Sequence, residues 1–499
     1  MADSPSDDSS KTLFARLRSF SSTTVLHAKK HAGICAVAYF DPGNWTVDLM
    51  AGSQFGFRML FVVLLSGLFA AFLQVLATRL GCVTGLDLAS HCRILFYDRP
   101  KHPLFYRRLV LYPLYILSEV AIISTDLAEL LGSAIALCLL FPKLQLWQAV
   151  LITAFDVVLL LALRDPLRST PVRMFEMLIA GLVLAVLICM VILISKVDVD
   201  WGKAFEGFLP SKDIFSAGGI YTSVGILGAT VMPHTLFLGS ALATQDRETP
   251  PPVVKLKPLQ ATDSGSTRAE HHADRENNSL DFIRAHLSHA IVDIVGSLLS
   301  FAVLINSLIL ILAGTVFFYG KHYVSSTASL FDAYDLIHNI VGAPAATTFA
   351  IALLASGQSS SIIATVAGQA VSEGFLNWRV SAVTRRLLTR LIAVIPSMAF
   401  AIAVGRPGIN ALLVASQVVL AIVLPFITLP LIYLTSSKTV MRVRKPGALA
   451  ATATETDNPW DGMVDYSNGT ATAVVAYGIW LVMLVANSYV IVTLIMGAH

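Results

Sequence analysis

Apolar residues in this chain run in long blocks broken by short polar stretches. Eleven blocks are long enough to cross a bilayer: 31–55, 58–80, 108–138, 144–163, 174–195, 218–243, 286–314, 343–371, 387–404, 409–434 and 472–496. A crossing helix needs about 20 residues. The third block exceeds that need, which predicts tilt or emergence at one end. The ten-residue alternating segments of barrel strands are absent. The pattern predicts an all-α polytopic membrane protein with eleven transmembrane helices.

Two blocks carry interruptions that an ordinary membrane helix avoids. The first contains Asp41-Pro42-Gly43-Asn44. Pro42 removes a backbone donor and Gly43 relaxes the chain. Asp41 costs about 2.5–3.5 kcal/mol at a bilayer centre on insertion scales. The sixth block contains Ala229-Thr230-Val231-Met232-Pro233-His234, again a helix breaker beside polar groups. Spans 1 and 6 hold matching places if the fold is two five-helix halves, 31–195 and 218–434, with span 11 (472–496) as an appendage. Five helices per half gives the halves opposite topology. Interrupted segments at matching places point to a transporter site where unwound carbonyls and a carboxylate converge. Spans 1 and 6 are thus predicted to be discontinuous.

Composition agrees with membrane embedding. The chain has 499 residues, 55% hydrophobic and 13% charged, against about 25% charged in soluble domains. Mean hydropathy is +0.71. With the N-terminus cytosolic, the inside segments hold 28 of the 35 Lys and Arg residues and the outside segments 7. That asymmetry supports both the span count and the orientation, and puts the C-terminus on the opposite face. The net charge of +3 follows from the inside bias and does not indicate nucleic acid.

Residues 1–24 are rich in Ser and Asp and lack the apolar region of a signal peptide. Residues 1–30 read as a disordered cytosolic tail. Loops 244–284, with Pro250-Pro251-Pro252 and His271-His272, and 435–471 read as disordered cytosolic segments. The histidine pair is read as solvated loop, with metal binding as the alternative. Asn277-Asn278-Ser279 and Asn468-Gly469-Thr470 match the glycosylation pattern, but the topology places both in the cytosol. Cys35, Cys82, Cys92, Cys138 and Cys189 show no CxxC spacing, which argues against thiolate clusters and a disulfide framework.

The ligand types narrow the chemistry. Span 1 offers oxygens from Asp41 and Asn44. Span 6 offers the Met232 thioether and the Ala229 carbonyl. Oxygens alone suit Mg²⁺ or Ca²⁺, whereas a thioether suits softer transition metals. The mixed set points to Mn²⁺ and Fe²⁺, with Cd²⁺ as a toxic mimic. Packing is the competing role for Met232, and a structural salt bridge for Asp41. Gln417, eight residues before Pro425, offers a further oxygen or a helix–helix bond.

Span 3 carries Glu119, Asp126 and Glu129 on one face: the first two differ by about 20° and the last two by about 60°. Acids on a membrane helix read as a proton or ion path. Arg385, Arg386 and Arg390 of span 9 are available counter-charges, and a purely structural ion-pair network is the alternative. His234 titrates near physiological pH when unperturbed, or serves as a hydrogen-bonded helix terminus. The polar and small residues Gly357-Gln358-Ser359-Ser360-Ser361 and Ala367-Gly368-Gln369 permit close helix approach or line an aqueous path.

These motifs, in order from about residue 30 to 495, resemble the Nramp divalent-metal transporters. The matches are DPGN at 41–44, MPH at 232–234, the run from Glu119 to Glu129, the 357–369 stretch, Arg385 to Arg390, and Gln417 with Pro425-Phe426. The resemblance implies a LeuT-like inverted-repeat fold and proton-coupled uptake of Mn²⁺ or Fe²⁺ towards the cytosol. It implies metal ligands at Asp41, Asn44, Ala229 and Met232, with Gln417 joining in some states. It implies a proton path through the span 3 acids and span 9 arginines, near His234. Two positions depart from it. Gly239 stands where many members have a second histidine, and Thr46 where many have an acid. The segment from Met232 to Ser240 looks like the fungal branch. Retention of Met232 argues against the magnesium-selective offshoot.

The expected function is a symporter with alternating access, with metal as substrate, H⁺ as coupling ion, no cofactor and no obligatory protein partner. The expected membrane is the plasma membrane or that of a vacuole or endosome. Rival readings are an amino acid or Na⁺ carrier on the same fold and a non-transporting metal sensor. No nucleophile–base set, phosphate loop or redox motif is visible, which argues against an enzyme.

Overall fold

The computed structural model describes residues 41–97, 99, 101–155, 173–244, 277–320, 328–377, 382–445 and 462–496. Their elements are α1 (Pro42–Phe55), α2 (Leu60–Thr84), α3 (Leu88–Phe96), α4 (Tyr112–Leu140), α5 (Leu146–Ala154), α6 (Arg173–Ser195), α7 (Trp201–Glu206), α8 (Ala217–Thr230), α9 (Pro233–Leu242), α10 (Leu280–Ser297), α11 (Val303–Ala313), α12 (Leu330–Ile340), α13 (Ala343–Leu376), α14 (Ala382–Ala403), α15 (Arg406–Ser436), β1 (Arg442–Arg444), β2 (Met463–Asp465) and α16 (Thr470–Met496). Among the described residues, eight helical segments are long and apolar enough to cross a membrane. Expected spans 1 and 2 fall in one such segment, Pro42–Thr84, because the 3₁₀ turn Gly56–Met59 joins them without a gap. Only the first part of expected span 4 is described, as α5.

Helix α4 is the axis of the packing. It lies against α13, α15, α14 and α1. Helix α1 is enclosed by α11, α8, α4 and α15, and every residue from Pro42 to Ser53 is buried. A helix buried on all sides belongs to the interior of a bundle. Helix α16 packs on α15, with 22% of its apolar window buried, the proportion expected of a rim helix facing lipid.

Small residues set the closest approaches. A side-chain carbon at Gly132 of α4 would fall on the Pro42 ring, and one at Gly357 of α13 on Ser133 Oγ. These glycines let α1, α4 and α13 meet at one level.

Three expectations need correction. The chain was expected to unwind around residues 41–44; Asp41 is extended, whereas Pro42, Gly43 and Asn44 already form the first turn of α1. Proline is suited to the first helical position, because the donor it lacks would have no partner there. Residues 31–40 of the expected span lie outside the described residues.

The second correction concerns the loops. Segment 435–471 was expected to be disordered, but β1 and β2 pair antiparallel, with Val443 opposite Val464. The end of loop 244–284 is also fixed. Asn277 Nδ2 donates to the Val440 and Arg442 carbonyls, both at 2.7 Å, and Asn278 Nδ2 to the Cys82 carbonyl at 2.9 Å. His271 and His272 lie outside the described residues. The amides of both sequons are engaged, Asn468 with Thr435 and Ser436.

Third, α3, α7 and α12 occupy stretches read as connections. Each is capped: Asp87 accepts from Ser90 N, Asp200 from Lys203 N and Ser329 from Asp332 N. Cys82, Cys92, Cys138 and Cys189 are free thiols.

Candidate functional site

Asp41 caps α1. Its Oδ1 accepts from Asn44 N at 2.9 Å, and its backbone is extended, as an N-cap requires. The residue is wholly buried, and its second oxygen, Oδ2, has no hydrogen-bond partner among the described residues. A buried carboxylate oxygen left bare is costly unless something occupies it.

The second break separates α8 from α9. Val231 and Met232 leave the helical conformation, with Met232 at φ −79° and ψ 125°. Pro233 then starts α9. Position 233 would also supply the helical donor to the Ala229 carbonyl, and proline has none. The sequence therefore frees that carbonyl. Ala229 is 1% exposed and Met232 is fully buried.

Gln417 of α15 joins the two breaks. Its side-chain amide lies against Gly43, where an added carbon would overlap it, and its backbone carbonyl lies similarly close to Gly228. Gln417 Nε2 donates to Ser416 Oγ at 3.1 Å, while Oε1 is buried without a partner. One element thus touches the residue before Asn44 and the residue before Ala229. Two buried oxygens of this site, Asp41 Oδ2 and Gln417 Oε1, lack donors among the described residues.

The span 3 acids and span 9 arginines meet as expected. Arg386 pairs with Asp126 and bonds Ser361 Oγ. Arg386 also lies 3.8 Å from Glu129 Oε2, and Glu129 Oε1 accepts from Ser360 at 2.8 Å. Arg390 donates to the Asp126 carbonyl at 3.0 Å and to Ser361 at 2.8 Å. Farther along α4, Arg385 holds both oxygens of Glu119 at 2.7 and 2.8 Å. The network reaches the metal site through packing, since Glu129 is one turn from Gly132, on which Pro42 rests.

His234 lies in the first turn of α9, fully enclosed, with Nδ1 3.3 Å from Thr125 Oγ1. Thr125 donates its own proton to the Ala121 carbonyl at 3.0 Å. Nδ1 is therefore the donor to Thr125, and Nε2 carries the free lone pair of the neutral ring. Nε2 is buried with no partner among the described residues. Thr125 precedes Asp126, so the imidazole adjoins the ion-pair network.

Sequence reasoning passed over several of these groups. Asp48 is 2% exposed with Oδ2 unpartnered. It stands seven residues beyond Asp41, about two turns into α1. Its signal was simply an acid in an apolar run. Ser361, read only as part of a polar stretch, is the shared acceptor of two arginines, and Thr125 carries no signal beyond polarity. Gln74 of α2 fills the space beside Gly239, where an added carbon would strike its amide nitrogen. The gap left by the absent histidine is thus occupied. Gly239→His is expected to lower stability by about 1–3 kcal/mol through overpacking, read as a fall in melting temperature of the purified chain. Gln74→Ala in the same chain should restore most of it. An unchanged melting temperature in the single variant would show that the space is open.

Comparison with known proteins bears on the chain as a whole. Residues 32–454 match the Nramp family, described as natural resistance-associated macrophage protein-like. The chain is 43% identical over 466 residues to the manganese transporter pdt1 of Schizosaccharomyces pombe, covering 93% of this chain and 84% of that one. It is 37% identical to the iron transporter SMF3 of Saccharomyces cerevisiae, covering 93% and 95%. Its structure is similar to a manganese transporter of Eremococcus coleocola, with TM-score 0.71, 29% identity, and 98% and 88% covered. A nucleobase-cation-symport-1 family transporter shares the fold at 12% identity and TM-score 0.53.

Proposed function

The chain belongs to the Nramp family, whose members are transporters and not enzymes, and from that premise we propose that it is a proton-coupled symporter of divalent transition metals. Its substrates are Mn²⁺ and Fe²⁺, with Cd²⁺ as a mimic, moved towards the cytosol by alternating access. The observation that carries this reading is the bare, buried Oδ2 of Asp41 beside the Asn44 turn. A dehydrated cation is the natural partner of such an oxygen. Asn44, the freed Ala229 carbonyl, Met232 and the Gln417 side-chain oxygen complete a mixed oxygen and sulfur set, which favours borderline-soft ions.

On this reading two five-helix inverted repeats, residues 31–195 and 218–434, enclose the site, and span 11 lies outside them. All eleven spans cross the membrane, spans 1 and 6 are broken at Asp41 and Met232, and the N-terminus is cytosolic. Rocking of one helical group against the rest exposes the site to each side in turn. The proton leaves the site through His234 and Asp126 and follows the acids and arginines of α4 and α14. An inside-negative potential favours inward metal movement by about 2.3 kcal/mol per charge per 100 mV.

The test is metal uptake in proteoliposomes. The thioether is the selective group, so Met232→Ala should let Mg²⁺ or Ca²⁺ compete better against Mn²⁺ while uptake of Mn²⁺ persists at reduced affinity. Unchanged competition would remove sulfur from the site.

A further inference from the structure

A second charged cluster lies apart from the transport site, at the end of the bundle where α3 meets the start of the α4 span. Arg93 of α3 sits over the Tyr97 ring at 4.5 Å from its centroid, and Arg107 over the same ring at 3.4 Å. Arg99 sits over Tyr106 at 4.7 Å. Lys101 and Arg108 are exposed beside them. Among the described residues no carboxylate pairs with Arg93, Arg99, Arg107 or Arg108.

Two guanidinium groups on one ring repel each other. Cation–π attraction offsets this only in part, at about 0.5–2 kcal/mol per contact. An acceptor with several negative oxygens reached by the exposed guanidinium edges would resolve the repulsion. Phosphate matches the guanidinium fork in geometry as well as charge.

The apolar surroundings select the source of that phosphate. Ile94, Leu104, Phe105 and Leu109 are 41%, 60%, 55% and 62% exposed around the cluster. The 38-residue segment Pro103–Leu140 is about 57 Å long at 1.5 Å per residue, against a hydrocarbon core of about 30 Å. The segment thus exceeds the core by about 27 Å, and its basic first turns are the end suited to the headgroups. We propose that this edge binds the phosphorylated headgroup of an anionic phospholipid. Arg93 and Arg107 grip the phosphate, Arg99, Lys101 and Arg108 add charge, and the four apolar side chains lie among the acyl chains. Basic clusters beside a membrane helix favour such lipids. The site reaches the bundle through Arg93, whose Nη1 donates to the Phe375 carbonyl at the end of α13.

The purified full chain, titrated with phosphatidylinositol bisphosphate or with phosphatidylcholine of the same acyl chains, tests this by native mass spectrometry. The readout is lipid occupancy, so it stands whether or not the metal site is as described. The unaltered chain should bind the bisphosphate lipid far more tightly than phosphatidylcholine. Arg93→Gln with Arg107→Gln should weaken it by about thirtyfold, from the usual contribution of each basic residue. Lys196→Gln with Lys212→Gln, an equal charge loss at exposed sites elsewhere, should leave it unchanged. Equal affinity of the unaltered chain for the two lipids would overturn the proposal without any variant having to fold. So would an equal loss in the control pair. Displacement by the deacylated headgroup at equal concentration would replace the lipid with a soluble anion.

Discussion

Asp41→Ala is expected to abolish Mn²⁺ uptake in proteoliposomes, with a loss above about a hundredfold. Residues that only support a metal ligand are worth about 10–100-fold when removed, and Asp41 is placed as the ligand itself. The side chain also caps α1 through Asn44 N, so the variant loses a cap worth about 1 kcal/mol. Asp41→Asn separates the two effects. Asparagine caps as well as aspartate but carries no charge. Both variants should lose uptake, while only the alanine variant melts lower. Uptake at the normal rate in Asp41→Asn would remove the carboxylate from the site.

The second large effect concerns Arg386. It is 1% exposed, pairs with Asp126, and lies close to Glu129. Arg386→Ala leaves those acids with a single neighbouring guanidinium, that of Arg390. Removing one partner of a buried pair costs about 3–5 kcal/mol. The expected result is a large drop in melting temperature and loss of metal-driven acidification. Asp126→Asn should cost less, because Arg386 keeps Ser361 and Glu129 nearby, yet it should also reduce proton flux. Full proton flux in Asp126→Asn despite a lowered melting temperature would make the network purely structural.

The parts of this molecule readable from sequence are those where local chemistry conflicts with a membrane helix. Asp41-Pro42 and Met232-Pro233 announce themselves because acids and helix breakers are expensive in lipid. Glu119, Asp126 and Glu129 fall on one face by helical geometry alone. What sequence could not show is where a helix begins relative to its proline, so the first turn of α1 was read as unwound. Short α3, α7 and α12 escape because their length is below that of an apolar block. The β1–β2 pairing joins residues separated by a long mixed segment, and its register depends on the fold around it. The roles of Ser361 and Gln74 are nonlocal in the same way. Ser361 matters because two arginines of α14 converge on it, and Gln74 because Gly239 leaves it room. A serine or glutamine in an apolar run does not disclose its neighbours.

The most direct measurement is the position of Mn²⁺ in crystals of the full chain soaked with the ion, read from anomalous scattering at the manganese edge. The account predicts one strong peak within bonding distance of Asp41 Oδ2, the Ala229 carbonyl and the Met232 sulfur. A peak elsewhere, with the Asp41 and Met232 side chains turned from it, would contradict the account.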